Sequence, residues 1–228
     1  MVSFPTTRWT LVLNACGSTA DTGALSELCS IYWRPVYAFL CGKVRDPELA
    51  RDLTQSFFVR LLEKRDLGPA NPGRVAFRCY LLRCVQHFLS NEQDRARARK
   101  RGGGIAPFPL EFDGVKVWEP VDTLTPEAIF EKQWAVTIVD QTMETLRSEA
   151  EAAGKGAQFA ILKDLLAGEA PGTYAQIGPR LGMTEGAVKS AVHRLRHRFR
   201  EILRHEIAET VSDPEEIDAE LRYLFSVI

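Results

Sequence analysis

The side chains best suited to chemistry lie on one predicted helix that begins after Thr184 and runs past Ile202. Apolar residues recur along it at steps of three and four, the spacing of a single buried stripe; they are Val188, Val192, Leu195, Phe199 and Ile202. The remaining surface carries Lys189, Ser190, His193, Arg194, His197 and Arg200. These side chains can donate hydrogen bonds to base edges and phosphate oxygens, so this face is a candidate DNA-binding surface.

The segment before this helix has the signals of a helix-turn-helix. Thr173 with Gln176 three residues later is a capping box, in which both side chains accept hydrogen bonds from backbone N–H groups. The short helix that follows is predicted to end at Gly182, in the left-handed conformation, and Thr184 to cap the next helix. Two capped helices about three residues apart favour DNA binding over the alternative of a solvated basic helix face.

Charge is strongly segregated although the formal net charge is only −1. Residues 94–101 have five basic residues and one acidic residue, a balance of +4. Residues 189–204 have six basic residues and one acidic residue, a balance of +5, whereas residues 205–228 have seven acidic residues and one arginine, a balance of −6. The two basic blocks are the candidates for contact with a polyanion.

Other chemistries are disfavoured by spacing. His193 and His197 are four residues apart but have no glutamate in an H-E-x-x-H arrangement, and Gly102–Gly104 lacks the lysine and serine of a phosphate loop. The five cysteines form no C-x-x-C pair. We therefore predict no catalytic residue, metal or cofactor. The sequence contains neither a secretory signal nor an apolar stretch of about 20 residues, so a cytoplasmic protein without membrane insertion is expected.

Helical periodicity continues along the rest of the chain, and strand-like alternation is missing, so an all-α fold of two small domains is predicted. Pro35 is expected to break or kink the first helix. Pro179 is expected to distort a turn of the first helix of the helix-turn-helix, which the fold tolerates because the far side of that helix faces solvent. The predicted helices span about 24–44, 46–63, 75–99, 126–146 and 157–167, and Asp46 and Thr125 are the predicted caps of the second and fourth of them. A glycine- and proline-rich linker covers residues 102–125.

Two separate patterns resemble one family. Tyr174–Leu203 resembles region 4 of the sigma-70 family, and Tyr32–Leu40 and Asp46–Leu62 resemble its region 2, which the helix ending in Asn91–Arg101 continues. The chain is thereby identified as similar to sigma factors of the extracytoplasmic-function (ECF) type, over about residues 24–101 and 126–205. An operator-binding regulator that does not join RNA polymerase is the alternative function.

The resemblance implies partners and roles for particular residues. Region 2 binds the β′ coiled coil of RNA polymerase, which assigns contacts to Asp52, Gln55, Arg60 and Glu63. It also opens the −10 element of promoter DNA, which assigns contacts to Arg78, Arg83, His87, Asn91 and Arg95. Region 4 recognises the −35 element and contacts the β-flap, which makes Thr184, Glu185, Lys189, Ser190, His193 and Arg194 candidates for base or phosphate contacts and Arg196, His197 and Arg198 candidates for backbone contacts. An anti-sigma protein is a further candidate partner.

The resemblance leaves both ends of the chain unassigned. Residues 1–23 form an N-terminal extension, and residues 206–228 form an acidic tail with an amphipathic helical pattern. We expect the tail to be a terminal helix that packs on its own domain. The alternative is that its negative charge covers the basic recognition helix.

Overall fold

The computed structural model describes residues 22–63, 76–101, 124–166, 172–211 and 213–228. Most of the N-terminal extension, the 64–74 loop and the linker as far as residue 123 lie outside these ranges. The described chain is helical and contains no strand, which confirms the all-α prediction. Its helices are α1 (Thr22–Val44), α2 (Pro47–Glu63), α3 (Phe77–Arg101), α4 (Pro126–Ala152), α5 (Gly156–Leu162), α6 (Tyr174–Leu181), α7 (Glu185–Ala208) and α8 (Ile217–Val227), with short 3-10 turns at Lys163–Leu165 and Pro214–Glu216.

The chain divides into two compact units. The first unit contains the described residues up to Val136 together with Glu209–Ile228, and the second unit is Thr137–Ala208. The C-terminal helix α8 therefore belongs to the first unit. The predicted division at residues 102–125 stays a prediction, because most of that segment lies outside the described ranges.

The first unit has a core of aliphatic and aromatic side chains from α1, α2 and α3. Tyr32, Phe39 and Phe77 are fully buried in it, and the ring of Phe77 meets that of Tyr32 edge to face with centroids 5.1 Å apart. Phe57 of α2 and Phe88 of α3 also meet edge to face, with ring centroids 5.6 Å apart. These contacts hold α3 against the other helices and leave its opposite side exposed.

Local signals in the sequence fix where the helices of this unit begin. The Asp46 carboxylate accepts hydrogen bonds from the backbone N–H of Glu48 at 3.0 Å and of Leu49 at 3.2 Å, so it caps α2 as predicted. The Thr125 hydroxyl likewise accepts from Ala128 at the start of α4. Pro35 does not break α1, which continues through it. Its missing N–H removes one hydrogen bond, and the buried residues on both sides of the proline hold the helix together.

The second unit is built around α7. One core cluster joins Val188 and Val192 of α7 to Ile177 of α6 and to Leu162 and Leu165. A second cluster joins Leu146 of α4, Phe159 of α5 and Ile202 of α7. The apolar stripe predicted for α7 thus packs inward, with Leu195 and Phe199 half-buried. No helix within the described ranges is long and apolar enough to cross a membrane.

Candidate nucleic-acid interface

The turn between α6 and α7 is fixed by two glycines. Gly182 adopts φ 61°, the left-handed conformation predicted for the end of α6. Gly178 is buried against the turn that follows α6, and its carbonyl accepts a hydrogen bond from the backbone N–H of Met183 at 2.9 Å. A Cβ at position 178 would lie 2.6 Å from the carbonyl oxygen of Met183, so only glycine fits there without movement of the turn. The spacing of the two helices therefore depends on these residues.

The start of α6 agrees with the sequence, and Pro179 lies within the helix on its exposed side. The Gln176 side chain accepts a hydrogen bond from the Thr173 backbone N–H at 2.8 Å, one half of the predicted capping box. The helix continues through Pro179 to Leu181. Pro179 and Ala175, whose carbonyl the proline cannot bond, are both exposed. Water can therefore satisfy that carbonyl.

Thr184 begins the recognition helix α7 as its cap. Its hydroxyl accepts a hydrogen bond from the backbone N–H of Ala187 at 3.3 Å. We expect Thr184→Ala to lower the free energy of unfolding by about 1 kcal/mol, because the N–H loses its acceptor at the helix start. Urea denaturation would measure the loss, and Thr184→Ser, which keeps the hydroxyl, should restore most of it. Equal losses in both variants would contradict a capping role.

The exposed face at the start of α7 brings together the central residues of the predicted −35 surface. Gly186, Lys189, Ser190, His193 and Arg194 line a shallow concavity, and all five are exposed. They follow one another at helical spacing, so their donors point away from the buried stripe on the same side of α7. Thr184 and Glu185, which precede them, are exposed as well. This surface is open to a ligand.

Two of the three residues predicted to follow the DNA backbone make hydrogen bonds within the second unit. The Arg196 guanidinium donates to the carbonyl of Leu165 at 2.7 Å. Arg198 donates to both oxygens of Glu149, at 2.7 and 2.9 Å, and to Glu201 at 2.9 Å. These hydrogen bonds raise the pKa of Arg198, and its guanidinium lowers the pKa of Glu149. The third, His197, is exposed, with Nδ1 3.5 Å from Glu201.

Four of the residues predicted to contact the −10 element form an exposed row on α3. Arg83, His87, Asn91 and Arg95 are exposed and follow one another at intervals of four. At 1.5 Å per residue the row is about 18 Å long. The side chains of His87 and Asn91 are 3.3 Å apart, and Arg95 donates to Glu92 at 2.7 Å. The row is a polar, mainly basic edge.

Arg78, the fifth residue predicted for the −10 contacts, is not on this row. It is buried, with 6% of its surface exposed, and its guanidinium donates to Glu131 at 2.6 Å and to Glu220. The same group lies 4.7 Å from the Trp134 ring centroid and 4.3 Å from that of Tyr223. Arg78 precedes Arg83 by five residues, so the two side chains point in directions about 140° apart around the helix axis. The expectation that Arg78 faces DNA is therefore wrong for this conformation.

The cluster around Arg78 was missed because its members come from distant parts of the chain. Trp134 and Glu131 lie on α4, and Glu220 and Tyr223 on α8. Burial works to lower the pKa of Arg78, but the two carboxylates outweigh it and raise that pKa. The only signal in the sequence is an acid and an aromatic residue three apart in the amphipathic tail. That spacing gives no indication of their partner.

The predicted polymerase-binding residues of α2 are divided. Asp52 and Gln55 are exposed, and exposed Val59 lies on the same helix. Arg60 is half-buried, pairs with Glu92 of α3 and lies 5.1 Å from the Phe88 ring centroid. The side chain of Glu63 lies outside the described residues. The structure therefore leaves Asp52 and Gln55 free to meet a partner and uses Arg60 to connect two helices.

No cluster of three histidine, cysteine or carboxylate side chains that could hold a metal occurs among the described residues.

The fold and the face of α7 define a class: a two-unit, all-helical protein whose helix-turn-helix presents an exposed polar and basic face. The chain is 28% identical over 205 residues to the ECF RNA polymerase sigma factor SigE of Mycolicibacterium smegmatis, covering 88% of this chain and 70% of that relative. No family model and no solved structure matches the chain. The similarity includes parts of both units and supports the assignment of this chain to the ECF sigma-factor family.

Proposed function

We propose that this protein is a transcription initiation factor that binds core RNA polymerase and directs it to promoters. The observation that carries the proposal is the exposed face of Lys189, Ser190, His193 and Arg194 at the capped start of α7. A helix held by one apolar side with donors on the other can enter the major groove. The similarity to an ECF sigma factor supports polymerase as the partner.

In this proposal the two units contact different parts of the promoter. The start of α7 recognises the −35 element, and the row of Arg83, His87, Asn91 and Arg95 contacts the −10 element. Arg83 and Arg95 supply positive charge along α3, and the amide of Asn91 can bond to bases or sugars. Unstacking a base costs a few kcal/mol, so cationic contacts that offset this cost are needed on the unit that opens DNA.

Polymerase contacts are assigned to both units. The exposed part of α2 that includes Asp52, Gln55 and Val59 is the proposed surface for the β′ coiled coil. An exposed apolar side chain between polar ones suits such an interface, because the apolar contact supplies affinity and the polar contacts supply orientation. The helix-turn-helix unit is the proposed partner of the β-flap. The protein acts without a catalytic residue of its own, in the cytoplasm, and an anti-sigma protein that binds either unit is the proposed regulator.

Reconstitution with bacterial core polymerase and promoter DNA tests the proposal. We expect a stable complex and promoter-dependent transcription that requires this protein. An operator-binding regulator would instead bind duplex DNA alone and neither join the polymerase nor add transcription. Asp52→Arg and Gln55→Glu in α2 should weaken the complex with polymerase while the affinity for duplex DNA stays unchanged.

Arg194 provides a direct test of the recognition face. We expect Arg194→Ala to weaken promoter binding about tenfold, which corresponds to roughly 1.4 kcal/mol, within the range of a lost base contact. Fluorescence anisotropy on a promoter fragment and on scrambled DNA would separate a base contact from a phosphate contact, because only a base contact affects the two unequally. Arg147→Ala is the matched control, since Arg147 is exposed in the same unit but pairs with Glu144 and Glu151. Equal binding by both variants would exclude Arg194 from the interface.

A further inference from the structure

The C-terminal helix α8 closes over one side of the first unit. Its Glu220 and Tyr223, three residues apart, meet the buried guanidinium of Arg78, and Leu224 is fully buried beside them. Just before α8, the carbonyl of Thr210 accepts a hydrogen bond from the backbone N–H of Phe77 at 3.1 Å. Because Phe77 begins α3, the returning chain also satisfies an N–H group at the start of the helix that carries the exposed row.

The cluster beneath α8 contains groups that burial disfavours. Two carboxylates share one guanidinium, so the buried charges do not balance. Burial raises the pKa of Glu220 even though Arg78 opposes this effect. The indole N–H of Trp134 is buried and has no hydrogen-bond acceptor within the described chain. Water would solvate the Glu220 carboxylate if α8 moved away, so the burial of this group works against the closed contact.

The segment that closes over Arg78 is acidic. Residues 213–228 contain five acidic residues and one arginine, a balance of −4. They belong to the same unit as the row on α3. Negative charge on that unit repels a polyanion, and Glu220 also occupies the guanidinium of Arg78, a type of group suited to binding phosphate.

We propose that α8 is an acidic clasp that, when closed, withholds Arg78 from nucleic acid and weakens single-strand binding by the first unit. Opening the clasp removes the acidic helix from the unit and exposes Arg78 at the start of α3. Glu131 stays on α4, so the gain amounts to at most one phosphate contact. This inference rests on the proposed function in one respect, because the clasp regulates the unit to which the −10 contacts are assigned.

Uncharged substitutions in the whole chain test the clasp without changing the net charge. Tyr223→Ala removes the ring over Arg78, and Leu224→Ala removes the buried anchor of the same helix. Hydrogen exchange of the α8 amides and of the Phe77 amide reports opening. Affinity for a 20-residue oligo-dT, measured by anisotropy from 50 to 200 mM salt, reports the effect on binding. Phe225→Ala is the matched control, because this side chain is 62% exposed on the same helix.

We expect faster amide exchange in α8 for Tyr223→Ala and Leu224→Ala, and about three- to tenfold tighter binding of oligo-dT than by the wild type. The salt dependence should steepen by up to about 0.7, the contribution of one phosphate contact on a single strand. Adding Arg78→Gln to Tyr223→Ala should return this slope to the wild-type value. Phe225→Ala should change neither exchange nor binding.

The proposal is overturned if α8 opens but oligo-dT affinity and slope stay the same or decrease, because α8 would then be only a packing element. It is also overturned if α8 stays protected in both variants, because the residues around Arg78 would not hold it. Promoter-dependent transcription with core polymerase is measured separately on the wild type. Loss of that activity would reject the proposed function, whereas the oligo-dT comparison alone decides the clasp.

Discussion

Replacement of Arg78 by alanine is expected to lower the free energy of unfolding by about 3–5 kcal/mol, the usual cost of removing one partner from a buried ion pair. The side chain of Arg78 is 7% exposed, and its removal leaves Glu131 and Glu220 facing each other without a positive charge between them. The contacts with the rings of Trp134 and Tyr223 are lost at the same time. Urea denaturation at neutral pH would measure the change.

Arg83→Ala is the matched control for this experiment. Arg83 lies on the same helix but is exposed, so its replacement should change the free energy of unfolding by no more than about 0.5 kcal/mol. Glu220→Gln combined with Arg78→Ala should recover part of the loss, because it removes one of the two unpaired carboxylates. If Arg78→Ala were as mild as Arg83→Ala, the buried cluster would not contribute to the stability of the first unit.

Gly178→Ala is expected to destabilise the second unit by about 1–3 kcal/mol, although alanine favours helix more than glycine does. The added Cβ would meet the carbonyl oxygen of Met183 at 2.6 Å, a backbone atom that cannot move without shifting the turn. A shifted turn changes how α7 is held, so promoter affinity should decrease together with stability. Denaturation and anisotropy on one protein preparation would measure both.

Gly186→Ala gives the opposite expectation and serves as the control. Gly186 lies in α7, and nothing lies within 4 Å of a Cβ added there. Alanine should therefore stabilise the protein by about 0.5–1 kcal/mol, because it reduces the conformational freedom of the unfolded chain. If both alanine variants shifted stability in the same direction, the close approach at Gly178 would not be the cause.

Most helix boundaries followed from local chemistry in the sequence. Asp46, Thr125 and Thr184 cap their helices where the sequence predicted, because a cap depends on a side chain and N–H groups only two or three residues away. The two helix-interior prolines lie in helices that continue through them. Whether a lost hydrogen bond distorts a helix depends on what surrounds it: buried neighbours around Pro35 and solvent beside Pro179.

The candidate surfaces were predictable where exposure followed from periodicity. The row on α3 and the start of α7 lie opposite apolar stripes that the sequence itself displays, and both are exposed. In the sequence, Arg196 and Arg198 look equivalent to the other basic residues that lie outside the apolar stripe of α7. Their contacts with Leu165 and Glu149 arise from segments more than 30 residues away, which periodicity within one helix cannot reveal.

The sequence by itself determined the helical fold, the caps, the glycine turn and the two basic segments, because each depends on residues within a few turns of one another. Only the tertiary structure decided where α8 packs and that Arg78 is buried. A helix period shows which side chains avoid the helix's own apolar stripe, but it cannot show whether another helix covers them. At Arg78, Glu131 and Glu220 arrive from 53 and 142 residues away and turn a candidate DNA contact into a buried ion pair.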